Sequence, residues 1–505
     1  PMPKPSRSEQ PPAPPRRRLP RFFPRLLALF AFFFLFFCAI SAILLDWWTA
    51  LPEDRPPRFV GRQTCAECHP RETAAFLHSH HDLAMDRATP ETVLGDFSGV
   101  NFSHQGIESR LYRDGDRFMV RTEGPDGQLQ DFEVKYVFGV EPLQQYMVEF
   151  DRPADAKPDE IGRLQVLRIC WDTQKKTWFY LPPPDVAQKL DPDDDLHWTG
   201  VAQRWNTACA ECHSTNFHKN FDVADVKYRS TFSEIDVSCE ACHGAGGDHV
   251  DLARSFSLFW DRKKGKAIGG FHQTDPEKEL GACFRCHARR QMLTDAFQPG
   301  QSLSDVALAE TPAPHTYHCD GQIQDEVFEQ GAFLQSRMYA KGIRCTDCHD
   351  PHTAKLKYEG NRLCTSCHQH PAGKYDSPAH HRHQPGGPGS QCIDCHMPSK
   401  TYMEVDVRRD HSLRVPRPDQ SVELKTPNAC TSCHIDARPF VSEGLLPRRV
   451  DGEGDNILHP KSTDYHQLLA LRGRHPSIDA ELRRLDQWAA SCMRAVTRAR
   501  RASLV

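Results

Sequence analysis

Eight copies of one five-residue pattern, Cys-x-x-Cys-His, constrain the fold of this chain more than any other feature of its sequence. Numbered in chain order as motifs one to eight, they occupy residues 65–69, 209–213, 239–243, 283–287, 345–349, 364–368, 392–396 and 430–434. Each motif holds two cysteines, so the motifs use 16 of the 20 cysteines in the chain. A chain with this cysteine spacing is organised around whatever the cysteines bind.

Three chemistries use paired cysteines at this spacing. Zinc takes four nitrogen or sulfur ligands, but it does not require a histidine directly after the second cysteine. A thioredoxin-like disulfide has no need of that histidine either. Covalent haem does require it, because the two cysteines add to the porphyrin vinyl groups and the next residue becomes the proximal iron ligand. The pattern therefore predicts eight covalently attached haem c groups.

The residues predicted to hold these groups follow directly from the motifs. The attachment cysteines are Cys65, Cys68, Cys209, Cys212, Cys239, Cys242, Cys283, Cys286, Cys345, Cys348, Cys364, Cys367, Cys392, Cys395, Cys430 and Cys433. The predicted proximal ligands are His69, His213, His243, His287, His349, His368, His396 and His434.

Composition agrees with a core built around cofactors. Only 39% of the 505 residues are hydrophobic, and 39 are proline. Eight porphyrins would supply the apolar surface that the side chains lack. The formal net charge of −4 argues against a nucleic-acid partner.

The N-terminal region has the features of a membrane anchor. Residues 1–21 are predicted to be a disordered, basic, proline-rich cytoplasmic tail, and residues 22–48 a transmembrane anchor. The anchor contains 20 uncharged apolar residues from Leu26 to Leu45, enough to cross a bilayer. The alternative is a cleaved signal peptide.

Charge predicts the orientation of this segment. Arg21 and Arg25 precede the apolar run, whereas Trp47 and Trp48 lie at its far end. Basic residues favour the cytoplasmic side. We therefore expect an N-terminus in the cytoplasm, a span in a bacterial inner membrane and a haem domain in the periplasm.

The rest of the chain can be divided into segments according to where the motifs occur. Residues 61–95 form a first haem segment, and 96–185 a β-rich insertion in which Phe132, Val134, Tyr136 and Phe138 alternate with polar residues. Residues 196–435 form a haem core with seven motifs, and 436–505 a C-terminal helical region. The expected fold class is a mainly α multihaem cytochrome c fold with a small β-rich insertion, one N-terminal transmembrane helix and C-terminal helices.

Electron transfer requires a second axial ligand on most irons. The chain has 27 histidines, so 19 lie outside the eight motifs. For each of these, the alternative is a solvated or capping residue. The candidate distal ligands are His249, His352 and His411, followed by His80 (from His78, His80 and His81), His218, His272 and His381 (from His380, His381 and His383).

The surroundings of the motifs resemble a known family. The segments "WNTACAECHSTNF", "VSCEACHGAGGDHV", "GIRCTDCHDPHTAK" and "CIDCHMPSKTYMEVDVRRDHSLRVPRP" are similar to those of the cytochrome c554-type multihaem proteins. The wider superfamily includes octahaem hydroxylamine oxidoreductase and pentahaem nitrite reductase. The resemblance covers roughly residues 61–435, and it implies close haem pairs, electron conduction and, in some members, one catalytic haem.

The resemblance does not decide whether one of the predicted haems is catalytic. Nitrite reductases of this group have lysine in place of the motif histidine at the active haem, whereas all eight motifs here end in histidine. Hydroxylamine oxidoreductases bind a tyrosine to the haem. In "HTYHCDGQIQDE", Tyr317 and His318 are weak catalytic candidates, and the alternative is a loop with one distal ligand.

Two functions are therefore expected. The first is a membrane-anchored periplasmic octahaem cytochrome that transfers electrons between partner proteins, such as a quinol-oxidising module or a soluble carrier. The second is an oxidoreductase acting on a small nitrogen or sulfur compound, of the hydroxylamine or nitrite type, at one five-coordinate haem. A helical scaffold that uses haem only for stability is remote, because eight irons exceed any structural need.

Overall fold

The computed structural model describes residues 23–48, 55–184, 186–255, 276–294, 301–368, 373–431 and 433–434, together with Arg483 and Gln487. The chain divides into two compact units, one of residues 1–57 with 248–267 and the other of residues 58–247 with 268–505. The tail predicted for residues 1–21 lies outside the described residues, as does almost all of the helical region predicted for residues 436–505.

The first helix, α1 (Phe23–Trp48), contains the uncharged apolar run. Its segment Arg25–Trp48 is the candidate membrane span within the described residues, by length and composition. The Phe30 and Phe37 side chains are 72% and 68% exposed. An N-terminal helix of this kind is consistent with a membrane anchor or with a signal peptide.

Nine antiparallel strands between Met85 and Tyr180 form the largest sheet. The strands are β1 (Met85–Arg87), β2 (Val100–His104), β3 (Ile107–Asp114), β4 (Arg117–Glu123), β5 (Leu129–Phe138), β6 (Leu143–Phe150), β7 (Arg163–Val166), β8 (Ile169–Asp172) and β9 (Thr177–Tyr180). Seven follow the order β2-β3-β4-β5-β6-β8-β9, while β1 pairs with β5 and β7 with β6. Eight of the nine strands fall within the stretch for which the sequence predicts a β-rich insertion.

Because of a β-bulge, strand β5 contributes side chains to two apolar clusters. The register against β6 shifts between Val134 and Tyr136. Before the bulge, Phe132 and Val134 point into one apolar cluster, and after it Val137 does so. Tyr136 and Phe138 instead join a second cluster. One extra residue in the strand therefore breaks the simple alternation read from the sequence.

The first apolar cluster lies on one face of the sheet and is rich in aromatic rings. Phe97 is its centre, with ring centres 5.2 Å from Phe118, 5.4 Å from Tyr146 and 5.3 Å from Trp178, all edge to face. Such contacts add to the free energy gained by burying the rings. This part of the chain therefore has a core made of its own side chains.

The helices after α1 are short. They are α2 (Arg62–Ala66), α3 (Pro70–Phe76), α4 (Trp205–Ala208), α5 (Ala210–His213), α6 (Cys239–His243), α7 (Gly247–Arg254), α8 (Pro276–Phe284), α9 (Leu303–Val306), α10 (Gln330–Phe333), α11 (Cys345–Cys348), α12 (Arg362–Thr365), α13 (Pro378–His381), α14 (Cys392–His396) and α15 (Pro418–Leu424). Three two-stranded sheets lie among them: β10 (Phe221–Asp222) with β11 (Lys227–Tyr228), β12 (Arg290–Met292) with β13 (Ala307–Ala309), and β14 (Ser399–Tyr402) with β15 (Asp406–Arg409).

The mainly α architecture expected from the sequence is not confirmed. The described residues contain a nine-stranded sheet, and most of their helices span only four or five residues. Motif three shows why the helices are short: α6 ends at its histidine because Gly244 follows with a φ of 84°. Only glycine adopts this left-handed conformation without steric cost.

The second cluster joins the sheet to motif two. Trp205 in α4 is fully buried against Met147 and Leu164 of the sheet. The next residue, Asn206, accepts a hydrogen bond from the Leu164 N–H at 2.8 Å. Cys209 of motif two packs at the edge of the same cluster. The sheet thereby positions the second motif.

Candidate haem sites

Each motif contains a single helical turn. Motifs three and seven are the helices α6 and α14 themselves. In the other six motifs, the histidine N–H donates to the carbonyl of the first cysteine at 2.8–3.2 Å. Because this bond joins residues four apart, the first cysteine and the histidine lie on the same face of the turn. That is the arrangement needed to attach a porphyrin and ligate its iron together.

Five motif histidines each have the ring of a second histidine nearby, with angles between the ring planes from 3° to 75°. The separations of ring centres are 6.3 Å for His287 and His81, 6.4 Å for His243 and His352, 6.5 Å for His349 and His411, 6.2 Å for His396 and His380, and 5.9 Å for His434 and His383. His69, His213 and His368 are not among these pairs.

The separations fit one iron between two imidazoles. A metal ion lies about 2.0 Å from a ligating histidine nitrogen, and the ring centre lies about 1.1 Å further, so opposed ligands have centres about 6.3 Å apart. All five observed separations lie within 0.4 Å of that value, between 5.9 and 6.5 Å. The chain therefore holds pairs of imidazoles at the spacing of axial haem ligands.

The Nδ1 atoms of three motif histidines, one of them outside these pairs, lie within hydrogen-bonding distance of an oxygen acceptor. His396 Nδ1 lies 2.8 Å from the Arg414 carbonyl oxygen, and His213 Nδ1 lies 3.3 Å from that of Ala84. His287 Nδ1 instead meets the Glu329 carboxylate, with Oε2 at 3.0 Å. A hydrogen bond from Nδ1 fixes the ring and leaves Nε2 to bind a metal.

The protonation of two paired rings favours metal binding. Burial lowers the pKa of His81 to about 4, with a further contribution from His287. Burial likewise lowers the pKa of His243 to about 4, helped by the nearby His352. A metal ligand must be a neutral imidazole, and both of these rings are neutral at physiological pH. His287, the ring near His81, differs: burial lowers its pKa, but the hydrogen bond to Glu329 and the charge of that carboxylate outweigh burial and raise the pKa to about 9.

Two of the three leading distal candidates lie opposite motif histidines. His352 follows motif five in sequence but faces His243 of motif three. His411 follows motif seven and faces His349 of motif five. His249 lies in α7, in the first unit of the chain. Its assignment as a distal ligand stays a prediction.

The weaker candidates are placed differently. His80 is exposed, and its neighbour His81 is the residue that faces His287. His218 is exposed, with its backbone paired to Thr231. His381 is not opposite a motif histidine in any described pair; its ring lies 6.4 Å from that of His383. His272 lies outside the described residues.

Two rings of the cluster His380, His381 and His383 lie near motif histidines, and neither is that of His381, the member named from the sequence. His380 and His383 lie opposite His396 and His434, with His381 between them. His380 is in α13, whereas His383 follows Arg382, which has a φ of 63°. This left-handed residue changes the direction of the chain, so His380 and His383 serve different motifs. No sequence signal marked Arg382 for that conformation.

The catalytic candidates Tyr317 and His318 do not belong to the histidine pairs described above. Tyr317 is buried, and its hydroxyl packs against Gly331 so closely that a side chain at 331 would collide with it. His318 is half-buried, and its N–H donates to the Gln322 carbonyl at 2.8 Å. Within the described residues, neither ring is paired with a motif histidine.

The attachment cysteines of different motifs adjoin one another. Side chains within hydrogen-bonding reach are Cys65 with Cys239, Cys212 with Cys286, Cys283 with Cys345 and Cys364 with Cys392. Pairs close enough to interact through charge are Cys242 with Cys286, Cys348 with Cys367 and Cys395 with Cys430. The motifs therefore adjoin in the order one-three-four-five-six-seven-eight, and motif two adjoins motif four.

A buried carboxylate ties motif one to motif three. Glu240, the second residue of motif three, is only 3% exposed. Its carboxylate accepts hydrogen bonds from the N–H groups of Val60 at 3.0 Å, Gly61 at 2.8 Å and Gly246 at 2.7 Å. Since Gly61 directly precedes the helix of motif one, this contact sets the spacing of the two motifs.

The arrangement does not match a zinc site. Zinc needs three or four ligands converging on one point. No group of three or more histidine, cysteine, aspartate or glutamate side chains converges in this way in the described part of the chain. Opposed histidine pairs, each beside two cysteines, match haem attachment instead.

Family comparisons agree with the motif chemistry. The family described as cytochrome c554 and c-prime matches residues 170–244, and the doubled CXXCH motif family matches residues 338–373. The dissimilatory sulfite reductase MccA of Wolinella succinogenes is 21% identical over 425 residues, which cover 76% of this chain. The chain spans about half of that relative, 51% of its length.

Two solved structures are also similar to the chain. The crystal structure of the outer cell wall cytochrome OcwA gives a TM-score of 0.48 at 18% identity, covering 75% of this chain and 84% of that one. The Wolinella succinogenes octaheme sulfite reductase MccA, form II, gives a TM-score of 0.31 at 18% identity, covering 71% of this chain and 58% of that one.

Proposed function

We propose that this chain, a multihaem c-type cytochrome, holds eight covalently attached haem c groups and transfers electrons through them. Each haem, once attached, supplies a one-electron ferric/ferrous couple. The protein's contribution is to ligate the irons on both sides and to keep the attachment sites next to one another.

The observation that carries this proposal is the set of opposed histidines. Five motif histidines each have a second histidine at the separation of two axial ligands, 5.9–6.5 Å. Two histidine ligands leave no open position on an iron, which suits electron transfer rather than substrate binding. The adjoining cysteines support a continuous series of sites from motif one to motif eight, with motif two as a branch.

The histidine pairs also connect distant parts of the chain. His81 follows motif one but faces His287 of motif four, and His352 follows motif five but faces His243 of motif three. Each proposed haem site would therefore be bound by one motif and by a histidine that follows a different motif in the sequence. Such cross-links hold neighbouring sites at constant separation, as repeated electron transfer requires.

We further propose that α1 anchors the protein in a bacterial inner membrane with its haem domain in the periplasm. The apolar length of Arg25–Trp48 supports the anchor, and Arg21 and Arg25 before the run support a cytoplasmic N-terminus. Attachment of haem c outside the cytoplasm supports the same side for the motifs. The expected partners are a quinol-oxidising module or a soluble electron carrier.

A second candidate function has its own observation. Within the described residues, the aromatic ring beside His213 of motif two is that of Phe138, with centres 5.2 Å apart, and not a second histidine. A haem here with one histidine ligand could bind a small nitrogen or sulfur compound of the hydroxylamine or nitrite type. The name sulfite reductase belongs to a relative that this chain covers only in part, so it supports a substrate class and no more.

Electron paramagnetic resonance separates the two functions. A conduit should give only low-spin ferric signals, and these should not respond to sulfite, nitrite or hydroxylamine. An enzyme should show a high-spin signal that shifts with one of these compounds. A high-spin signal lost in a Phe138→His variant would assign the open site to motif two.

Conduction itself can be tested with a photosensitiser attached near motif one. Ala74 is exposed on α3, so a ruthenium complex can be linked to an Ala74→Cys variant in a Cys38→Ser background. We expect a flash to reduce haems throughout the series. Removing motif six (Cys364→Ala with Cys367→Ala) should leave the haems of motifs seven and eight oxidised on the same timescale.

Removing the branch motif two (Cys209→Ala with Cys212→Ala) is the matched control for loss of one haem. It should leave reduction of motifs seven and eight intact. If both deletions have the same effect, the proposed order of sites is wrong.

A further inference from the structure

A carboxylate contacts the imidazole of motif four. Glu329 Oε2 lies 3.0 Å from His287 Nδ1, and the neighbouring Gln330 N–H donates to the His287 carbonyl oxygen at 3.0 Å. Two consecutive residues thus hold one motif histidine, one at its ring and one at its backbone. With Nδ1–H donated to Glu329, Nε2 of His287 is left for iron.

Apolar packing holds Glu329 in this place. Glu329 directly precedes α10 (Gln330–Phe333), and Phe333 at the end of that helix is buried. The ring centre of Phe333 lies 6.4 Å from that of Phe284, which is itself part of motif four. The carboxylate is therefore presented to the histidine by the core around the same motif.

The charge of this hydrogen-bond partner sets motif four apart from two others. His213 Nδ1 faces the carbonyl oxygen of Ala84, and His396 Nδ1 faces that of Arg414. Those partners are neutral, whereas a glutamate carries a negative charge at neutral pH. A charged acceptor draws the Nδ1 proton more strongly than a neutral one.

The cation close to Glu329 is engaged elsewhere. Besides His287, both His411 and Arg408 act on Glu329 through charge, and Arg408 is the permanent cation of the two. Its guanidinium is paired with Glu326 and with Asp406, at 2.6 Å in both cases. The Glu329 carboxylate is thus available to hydrogen-bond His287.

We infer that Glu329 is a tuning residue, which lowers the reduction potential of the haem at motif four relative to its neighbours. By attracting the Nδ1 proton of His287, the carboxylate makes the imidazole a stronger electron donor to the iron. Stronger electron donation favours ferric over ferrous iron. Reduction adds one electron at this site, and the proton stays in the hydrogen bond between His287 and Glu329. The inference rests on the proposed function, since it requires iron on His287.

Because motif four adjoins several other motifs, the reduction potential of its haem affects electron transfer among them. Its Cys286 adjoins Cys212 of motif two, and its Cys283 adjoins Cys345 of motif five. Motif four is therefore the junction of the branch and the main series. A low potential at the junction slows every transfer that passes through it, so Glu329 sets how fast electrons cross between motif two and the main series.

The test isolates this one haem spectroscopically. In a His81→Ala background, the haem at motif four loses its distal ligand and becomes high-spin. Resonance Raman of the reduced protein then reports the iron–histidine stretch, which rises with the anionic character of the imidazole. Adding Glu329→Gln should lower that frequency. It should also raise the midpoint potential of the high-spin signal by about 59 mV or more, a tenfold change in the one-electron equilibrium.

The matched control is Glu310→Gln in the same background. Glu310 pairs with Arg289 at 2.6 Å and lies 3.6 Å from His315, so the control removes a nearby negative charge without touching His287. It should leave both the frequency and the midpoint unchanged. Equal shifts in the two variants would overturn the inference, because the effect would then be general electrostatics.

The same substitution in the otherwise unchanged protein provides a second measurement. A spectroelectrochemical titration of Glu329→Gln should show the largest upward shift at motif four and a smaller one at motif five, because the charge of Glu329 also acts on His349 and His411. No shift in either background overturns the role of Glu329. If His81→Ala produces no high-spin haem while Glu329→Gln still shifts one midpoint, the proposed ligand pair is wrong and the tuning role stands.

Discussion

His243 and His352 are 109 positions apart in sequence, yet their imidazole rings lie within 15° of parallel with centres 6.4 Å apart. The first belongs to motif three and the second follows motif five. The separation is that of two ligands on opposite sides of one iron. Such ligands need no particular angle between their ring planes, and the His81 and His287 rings lie at 75°.

Replacing His352 with alanine should open the iron at motif three. One low-spin ferric centre should convert to high-spin, while total covalent haem is unchanged, because both cysteines of the motif remain. Electron paramagnetic resonance and a pyridine haemochrome assay measure the two quantities. His218→Ala removes an exposed histidine and should change neither. An unaltered low-spin spectrum in His352→Ala would show that another group holds that iron.

Intact mass spectrometry should find eight haem masses on the fully matured chain. The thioether bonds also survive acid–acetone extraction, because they are covalent. Replacing Cys239 and Cys242 together with alanine should remove one haem mass. Cys170→Ala changes a buried free thiol outside the motifs and should remove none. Six or fewer haems on mature protein would contradict the prediction.

A reporter that works only outside the cytoplasm should be active when fused after Leu51 and silent when fused at residue 20. The physical reason is the basic charge before the apolar run, which is retained in the cytoplasm. A reporter that works only inside the cytoplasm serves as the control and should give the opposite pattern. Activity at residue 20 would reverse the orientation.

The Glu240→Gln variant should be less stable than the parent by about 1–3 kcal/mol, the cost of leaving buried polar groups without good partners. The amide retains one acceptor oxygen, whereas the carboxylate accepts from three backbone N–H groups. Urea unfolding followed by circular dichroism measures the change.

Glu67→Gln is a matched control for this change, since Glu67 is also a motif residue and is exposed. Removing an exposed carboxylate typically costs under about 1 kcal/mol. Equal losses in the two variants would show that the backbone contacts of Glu240 are not important.

Acid should destabilise the β-sheet region through His197. Burial lowers the pKa of this histidine, Glu123 opposes that effect, and Arg168 and Lys189 reinforce it. The unfolded chain therefore binds the proton more tightly than the folded one. Stability due to this group is complete above about pH 6.5, the unfolded pKa, and is lost as pH falls through the lower folded value.

Urea unfolding between neutral and mildly acidic pH measures this dependence. His197→Gln should flatten it by up to one proton per molecule. His218→Gln, which removes an exposed histidine, should retain the parental slope. An identical slope in His197→Gln and the parent would exclude His197 as the titrating group.

His352 and His411, the only candidates named in their segments, lie near motif histidines, and their role as distal ligands stays a prediction. In the other clusters, His81 lies opposite a motif histidine in place of His80, and His380 and His383 in place of His381. Neighbours in sequence point in different directions once the chain turns, so spacing alone could not select between them.

The strands were predicted from alternation, but their extent and the bulge in β5 were not. Alternation assigns Phe132, Val134, Tyr136 and Phe138 to one face, whereas the register shift sends the last two to another cluster. A bulge depends on the partner strand, which a single segment of sequence does not reveal.

By itself, the sequence determined the c-type haem chemistry, and it predicts the residues that attach the haems. That chemistry is local, since one helical turn brings a motif's cysteines and histidine together whatever the rest of the chain does. Tertiary structure alone decided which histidine lies opposite each motif, which cysteines adjoin and that Glu329 contacts His287 rather than solvent. Those relationships join residues tens to hundreds of positions apart, such as His81 and His287, so they exist only after the chain has packed into one arrangement.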